Sequence, residues 1–222
     1  MIRRWAADVA AIREVPVPAL VLGLVAGIVV VGVLGAYDAL VTDVPQIDLQ
    51  EELDDTFSIP TLYSGGLLLV LAGVTASVAL DRHRDGRSPW VFVGLALIFL
   101  EASADETVEI HERIGNALPG DWEVLYIPVF VLAGLLWLAV YRELAGRPEQ
   151  TLWLTGAVAF VGALALEAYA QGGTGESGRP GSGVVGAFEE LLEPLGTTLF
   201  IWTMLRIRSP APSARDCTPA PS

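Results

Sequence analysis

The chain has 222 residues, 53% of them hydrophobic, and a formal charge of −13. Its 13 basic residues are all arginine, and so acidic a chain repels phosphate, which argues against nucleic acid as a partner. A lone cysteine, Cys217, excludes an intrachain disulfide and any multi-cysteine metal site.

Several apolar runs reach the roughly 20 residues that a helix needs to cross a bilayer. The expected class is therefore all-α: a polytopic transmembrane helical bundle of about six spans, with the lipid bilayer as its surroundings. The runs are continuous and rich in Leu, Val, Ala and Gly, without the period-two alternation of a β-barrel. Residues 1–17 read as a cytoplasmic or interfacial segment. Trp5, Val9 and Ile12 recur there at helical spacing beside arginines, which suits a short helix on the inner leaflet; a solvated leader is the alternative.

The six-helix membrane domain is expected over residues 18–208. Its first span, Pro18–Leu40, is too long for a signal-peptide core and reads as retained. It carries Gly23 and Gly27 in a GxxxG spacing, which suits close packing inside the bundle. The acidic stretch Thr42–Phe57 follows as a solvated loop. The later spans are Pro60–Leu80, Pro89–Glu112, Trp122–Arg142, Thr151–Ala170 and Gly186–Arg206, several of them opened by proline, which is at home in a first helical turn. Gly172–Gly183 reads as a Gly- and Ser-rich outer loop, and residues 209–222 as a disordered cytoplasmic tail.

Arginine sets the orientation. Arg3, Arg4 and Arg13, then Arg82, Arg84 and Arg87, then Arg142 and Arg147, then Arg206, Arg208 and Arg215 all fall on one side of a six-span chain. Only Arg113 and Arg179 fall on the other. The positive-inside rule then places both termini in the cytoplasm.

The acids follow a different pattern. Span 3 is apolar from Trp90 to Leu100 and then reads Glu101, Asp105, Glu106, Glu109, His111 and Glu112. At 1.5 Å per residue Glu101 lies about 16 Å along the helix, near the midplane. Glu167 falls in the outer third of span 5, Glu189, Glu190 and Glu193 open span 6, and Asp38 ends span 1. Four helices thus bring ten carboxylates to one outer layer, against Arg113, Arg179 and His111. Like charges in a low dielectric cannot all ionise, so the layer needs protons, cations or water. Helical angles place Glu101, Asp105 and Glu112 within about 40° of one another, with Glu106 and His111 diverging to opposite sides toward different neighbours. Glu189 and Glu193, at i and i+4, are spaced to converge on one cation, as are Glu190 and Glu193 at i and i+3.

A site of carboxylates with one imidazole suits a divalent cation, with Zn, Mn, Ca and Fe as the candidates. The expected metal ligands are Asp105, His111, Glu112, Glu167, Glu190 and Glu193; Glu101, Glu106 and Glu189 are proton-site candidates. A two-histidine di-iron site does not fit, because position 108 is Val108, so Glu-x-x-His is absent, and His83 lies in the cytoplasmic loop. Pro128 and Pro194 each remove a helical hydrogen bond inside spans 4 and 6. The large aromatics Trp90, Trp122, Tyr126, Trp137, Trp153 and Trp202 mostly mark membrane interfaces.

Together these pieces resemble an uncharacterised family of bacterial six-span inner-membrane proteins. The residues that carry the resemblance are Ile59-Pro60-Thr61-Leu62-Tyr63-Ser64, the Asp105-Glu106 pair followed by His111-Glu112, Gly162-Ala163-Leu164 leading to Glu167, and Glu189-Glu190 with Glu193 and Gly196. It covers spans 2 to 6 and implies topology and a bacterial plasma membrane, with no reaction attached. The leading expectation is a cation-binding carboxylate site in the outer half of the bundle. The alternatives are a proton- or cation-coupled transporter using Glu101 and Glu167, a metal-dependent membrane enzyme, and a non-catalytic scaffold or sensor. No nucleophile motif such as Gly-x-Ser-x-Gly occurs, so the catalytic residues of an enzyme reading stay unknown.

Overall fold

The computed structural model describes residues 17–41, 59–108, 110, 113, 122–144, 146–171 and 182–208. The expected N-terminal segment, the acidic loop 42–57, residues 172–181 and the tail 209–222 lie outside them. The described residues form six helices: α1 (Val17–Val41), α2 (Ile59–Arg84), α3 (Trp90–Val108), α4 (Trp122–Glu143), α5 (Arg147–Gln171) and α6 (Ser182–Arg208). No strand is found among them. Each expected span coincides with one helix. The main differences are at ends where polar residues extend the helix past its apolar run. Arg82, His83 and Arg84 continue α2, since cations are favourable at a helix C-terminus.

Among the described residues three stretches are long and apolar enough to cross a membrane: Leu62–Arg84, Tyr126–Glu143 and Pro148–Leu166. Among the described residues α1, α3 and α6 fall outside that set. Much of the outer surface is apolar. Leu22, Val29, Leu69, Leu97, Leu135 and Val158 are all exposed, as side chains facing lipid are.

The α2–α3 connection is a Schellman turn. Gly86 takes φ 69°, Arg87 N–H donates to Arg82 O at 2.8 Å, and Gly86 N–H donates to His83 O at 3.1 Å. Beyond it α3 begins, with the Phe92 and Val93 N–H groups both donating to Pro89 O. The turn brings the end of α2 against the start of α3, where the Arg82 guanidinium lies 4.7 Å over the Phe92 ring.

Ion pairs gather the same end of the bundle. Arg82 pairs with Glu143 of α4 at 2.5 Å, Arg206 of α6 with Glu149 of α5 at 2.8 Å, and Arg208 of α6 with Asp81 of α2 at 3.0 Å. So α2, α4 and α6 end, and α3 and α5 begin, at one end of the molecule. Just inside lies the core, built on Leu71, Val78, Phe92, Leu95, Val140, Trp153, Ile201 and Met204. Trp153 is 0% exposed. It stacks on Trp137 at 6.2 Å, tilts against Phe200 at 4.5 Å, and donates its indole N–H to Trp137 O at 3.1 Å. Trp137 and Trp153 are therefore packing residues, correcting their expected place at an interface. Trp90, by contrast, is 72% exposed.

Small residues set the close crossings. A Cβ on Gly196 of α6 would stand 2.8 Å from Gly156 O and 3.0 Å from Phe160 N of α5. A Cβ on Gly27 would stand 2.5 Å from the Tyr63 hydroxyl, which donates to Leu24 O at 2.7 Å and so ties α2 to α1. Gly23, its GxxxG partner, meets nothing within 4 Å. Only one glycine of that pair is a packing residue. Ser103 of α3 donates to Gly65 O of α2 at 2.7 Å, the third such approach.

Candidate functional site

The described carboxylates reach their places on two helices, α3 and α6. α3 packs along α2, and α6 packs along α5 through the Gly156–Gly196 crossing. α4 leans on α3 and barely touches α5. It is fixed near its arginine-bearing end by Glu143 to Arg82 and the Trp137–Trp153 stack, and near its opposite end by Tyr126. Between these fixed points a cavity of about 750 Å³ opens among α2, α3, α4, α5 and α6.

Its lining changes character along its length. From Leu95 to Glu106 on α3, Tyr126 to Trp137 on α4 and Glu189 to Phe200 on α6, the lining covers eleven residue steps, or about 16 Å. Because α3 leaves the arginine end and α6 returns to it, Glu106 and Glu189 fall at the outer part, and Leu95, Trp137 and Phe200 at the floor. Glu101, Asp105, Glu106, Glu189 and Glu193 all line the outer part. Ile98, Phe99, Phe160 and Phe200 make apolar walls further in.

Within the acidic part, the Tyr126 hydroxyl donates to Asp105 Oδ1 at 3.1 Å, and Glu101 is close enough to act on the same hydroxyl. Glu106 lies on the other side of α3, its Cγ 3.7 Å from where a Gly65 Cβ would stand. Asp105 and Glu106 thus address different neighbours, α4 and α2, as their helical angles suggest. They nevertheless line the same cavity, because it wraps around α3 more widely than a single helical face. Tyr126 was read from the sequence only as an interface aromatic. Its contact with Asp105 depends on how α4 leans on α3, which no local spacing signals.

The other expected site residues divide in two. Glu109, His111 and Glu112 lie outside the described residues, as do the side chains of Asp38, Glu167 and Glu190. Of the expected metal ligands, Asp105 and Glu193 are the two whose side chains are described. Among the described residues no three His, Cys, Asp or Glu side chains group closely enough to hold a metal ion. A divalent ion would therefore need donors from Glu112, Glu167, Glu190 or His111 in addition.

Pro194 follows the last of these acids inside α6. Lacking an N–H, it leaves the Glu190 carbonyl without its usual helical donor. Further along α6 the Thr203 hydroxyl donates back to Leu199 O at 2.9 Å. Thr198 Oγ1 is buried with no partner among the described residues.

A family model described as a domain of unknown function (DUF8692) matches residues 19–208. No curated protein and no solved structure matches the chain significantly.

Proposed function

We propose, for a chain that belongs to the DUF8692 family, a multi-pass membrane protein that binds a cation in a cavity in the outer half of its bundle. All six helices cross the bilayer in this reading, and the arginine-bearing end with both termini faces the cytoplasm. The resemblance stated above puts the membrane in a bacterium, where this is the plasma (inner) membrane.

One observation carries the functional reading. Carboxylates from α3 and α6, separated by more than eighty residues in sequence, line a single cavity, and Tyr126 of α4 reaches one of them, Asp105. Ionisable groups inside a membrane bundle are costly, and their convergence on a cavity is the mark of a binding site. The outer layer also holds more carboxylates than arginines and histidine together, so a cation relieves its repulsion.

The transporter alternative needs a path from Glu101 and Glu167 to the cytoplasm. The packed core around Trp153, Phe92 and Met204 and the ion pairs beyond it favour a closed site over such a path. The metal-dependent enzyme and the scaffold or sensor gain no particular support from the geometry.

The test is thermal denaturation of the detergent-purified full chain with Ca²⁺, Mn²⁺, Zn²⁺, Fe²⁺ and tetramethylammonium, with metal analysis of the protein as isolated. At least one cation should raise the midpoint, and Asp105→Asn with Glu193→Gln should abolish the rise. If no cation shifts the wild-type protein, the reading falls.

A further inference from the structure

We propose that the cavity takes a single-chain cationic amphiphile, with an ammonium head among the carboxylates and an apolar chain lying toward Trp137. This names the ligand class of the site proposed above and rests on that cation-binding reading.

Size is the first argument. A cavity of about 750 Å³ is far larger than a coordinated ion and falls within the roughly 300–1,000 Å³ of small-molecule sites. Shape is the second. The cavity has a polar end and an apolar shaft, graded along about 16 Å of helix. A bare metal ion uses only the first, and a neutral lipid chain only the second. Charge is the third. Glu101, Asp105 and Glu106 stand on one helix, Glu189 and Glu193 on another, and no three of the described acids close into a metal-sized group. A diffuse ammonium charge is served by carboxylates spread around it and by aromatic faces such as Tyr126 and Phe130. The same acids repel the phosphate of an anionic lipid.

Access is the fourth argument. α4 and α5 hardly touch, and Phe130 on one and Val161 on the other line the cavity while remaining exposed. An amphiphile dissolved in the bilayer meets the cavity from the side, between those two helices. Gly134 sits along this side of α4, and a Cβ there meets nothing within 4 Å. A larger residue at that position has room at its Cβ and encroaches on the shaft, and replacing a helical glycine favours the helix.

The experiment titrates the full-length protein in nanodiscs with tetramethyl-, butyltrimethyl- and octyltrimethylammonium, with octanol as the uncharged control, free ligand being measured by dialysis. Affinity should rise about four-fold per buried methylene. Octanol should bind at least ten-fold more weakly than octyltrimethylammonium. Gly134→Leu should keep tetramethylammonium binding and flatten the dependence on chain length. Glu101→Gln with Asp105→Asn should weaken every ammonium ligand while leaving octanol unchanged, with circular dichroism and elution volume confirming the fold. If tetramethylammonium or a divalent ion binds but chain length adds nothing, the amphiphile assignment is overturned and the cation site stands. If the chain-length rise persists unchanged in both variants, the effect is bilayer partitioning and the assignment is overturned. If neither ammonium ligands nor divalent ions bind the wild-type protein, the cation-binding reading fails with it.

Discussion

The two ends of this bundle use the same side chain for opposite purposes. At the inner end Asp81, Glu143 and Glu149 each meet an arginine from another helix, and the pairs tie α2, α4, α5 and α6 together. At the outer end Glu101, Asp105, Glu106, Glu189 and Glu193 surround a cavity instead. The difference teaches that a carboxylate's role is decided by what the fold brings within reach. Beside a partly buried guanidinium it is a fastening. Around an apolar-walled space it lines a cavity, which the proposed reading makes a recognition surface. The packing follows the same division: the inner half is filled by Trp153, Phe92 and Met204, and the outer half is left open between α4 and α5.

The sharpest way to break this contrast is to damage the crossing that supports both ends. Gly196→Ala places a methyl against the Gly156 carbonyl and the Phe160 amide, neither of which can swing aside. We expect a loss of about 2–3 kcal/mol in equilibrium unfolding in mixed micelles, the upper part of the range for overpacking. Gly134→Ala, with nothing near its Cβ, should cost nothing. An equal effect at both positions would show that α5 and α6 do not cross as closely as described.

Next comes the inner fastening alone. Arg82 donates from Nε to Ser88 O at 3.1 Å, pairs with Glu143, and covers the Phe92 ring. Arg82→Ala removes all three contacts and should destabilise by about 2 kcal/mol, as for charged hydrogen bonds. Arg206→Ala breaks a more exposed pair and should cost about 0.5 kcal/mol. If high salt erased both losses equally, the inner end would be held by screened surface charge. Smaller than the Arg82 loss is that of Tyr126→Phe, which removes the hydroxyl that reaches Asp105 and should cost about 1 kcal/mol. Unfolding of Tyr126→Phe, Asp105→Ala and the double variant forms a cycle that isolates this contact from the rest of α4.

Much of the architecture was legible in the sequence, because apolar periodicity and arginine placement are local signals. The six helices and the shared end of their arginines follow from such signals. The convergence of α3 and α6 acids on one layer was also legible, from counting residues along each helix. What was not legible is lateral. Nothing in the spacing of Tyr126 says that α4 leans toward α3 and away from α5, which is what opens the cavity. Angular phase separated Glu106 from Asp105, but phase does not say how wide the space around α3 is. Trp153 looked like an interface residue because its position near a span's start is shared by true interface residues. Only the neighbours Trp137 and Phe200 make it core. Gly23 and Gly27 look alike in the sequence, and only Tyr63 distinguishes them.

The smallest expected effect tests the comparison most directly, because it applies one chemical change at both ends. Replacing a carboxylate by its amide keeps shape and removes charge. At the inner end Glu143→Gln takes the charge away from Arg82, whose side chain is mostly buried, and leaves a guanidinium without its counter-ion. A loss of about 1 kcal/mol follows, as for a charged hydrogen bond made neutral. At the outer end Asp105→Asn retains a carbonyl oxygen that can accept from the Tyr126 hydroxyl, and it removes one negative charge from a layer rich in them. Its stability should stay within about 0.5 kcal/mol of the original, shifted upward if at all, since relief of like-charge repulsion opposes the weaker hydrogen bond. Equilibrium unfolding of both variants at low ionic strength reads the two signs side by side. Equal losses would mean that Asp105 is as firmly paired as Glu143, and the division between a fastened end and a receptive end would not hold.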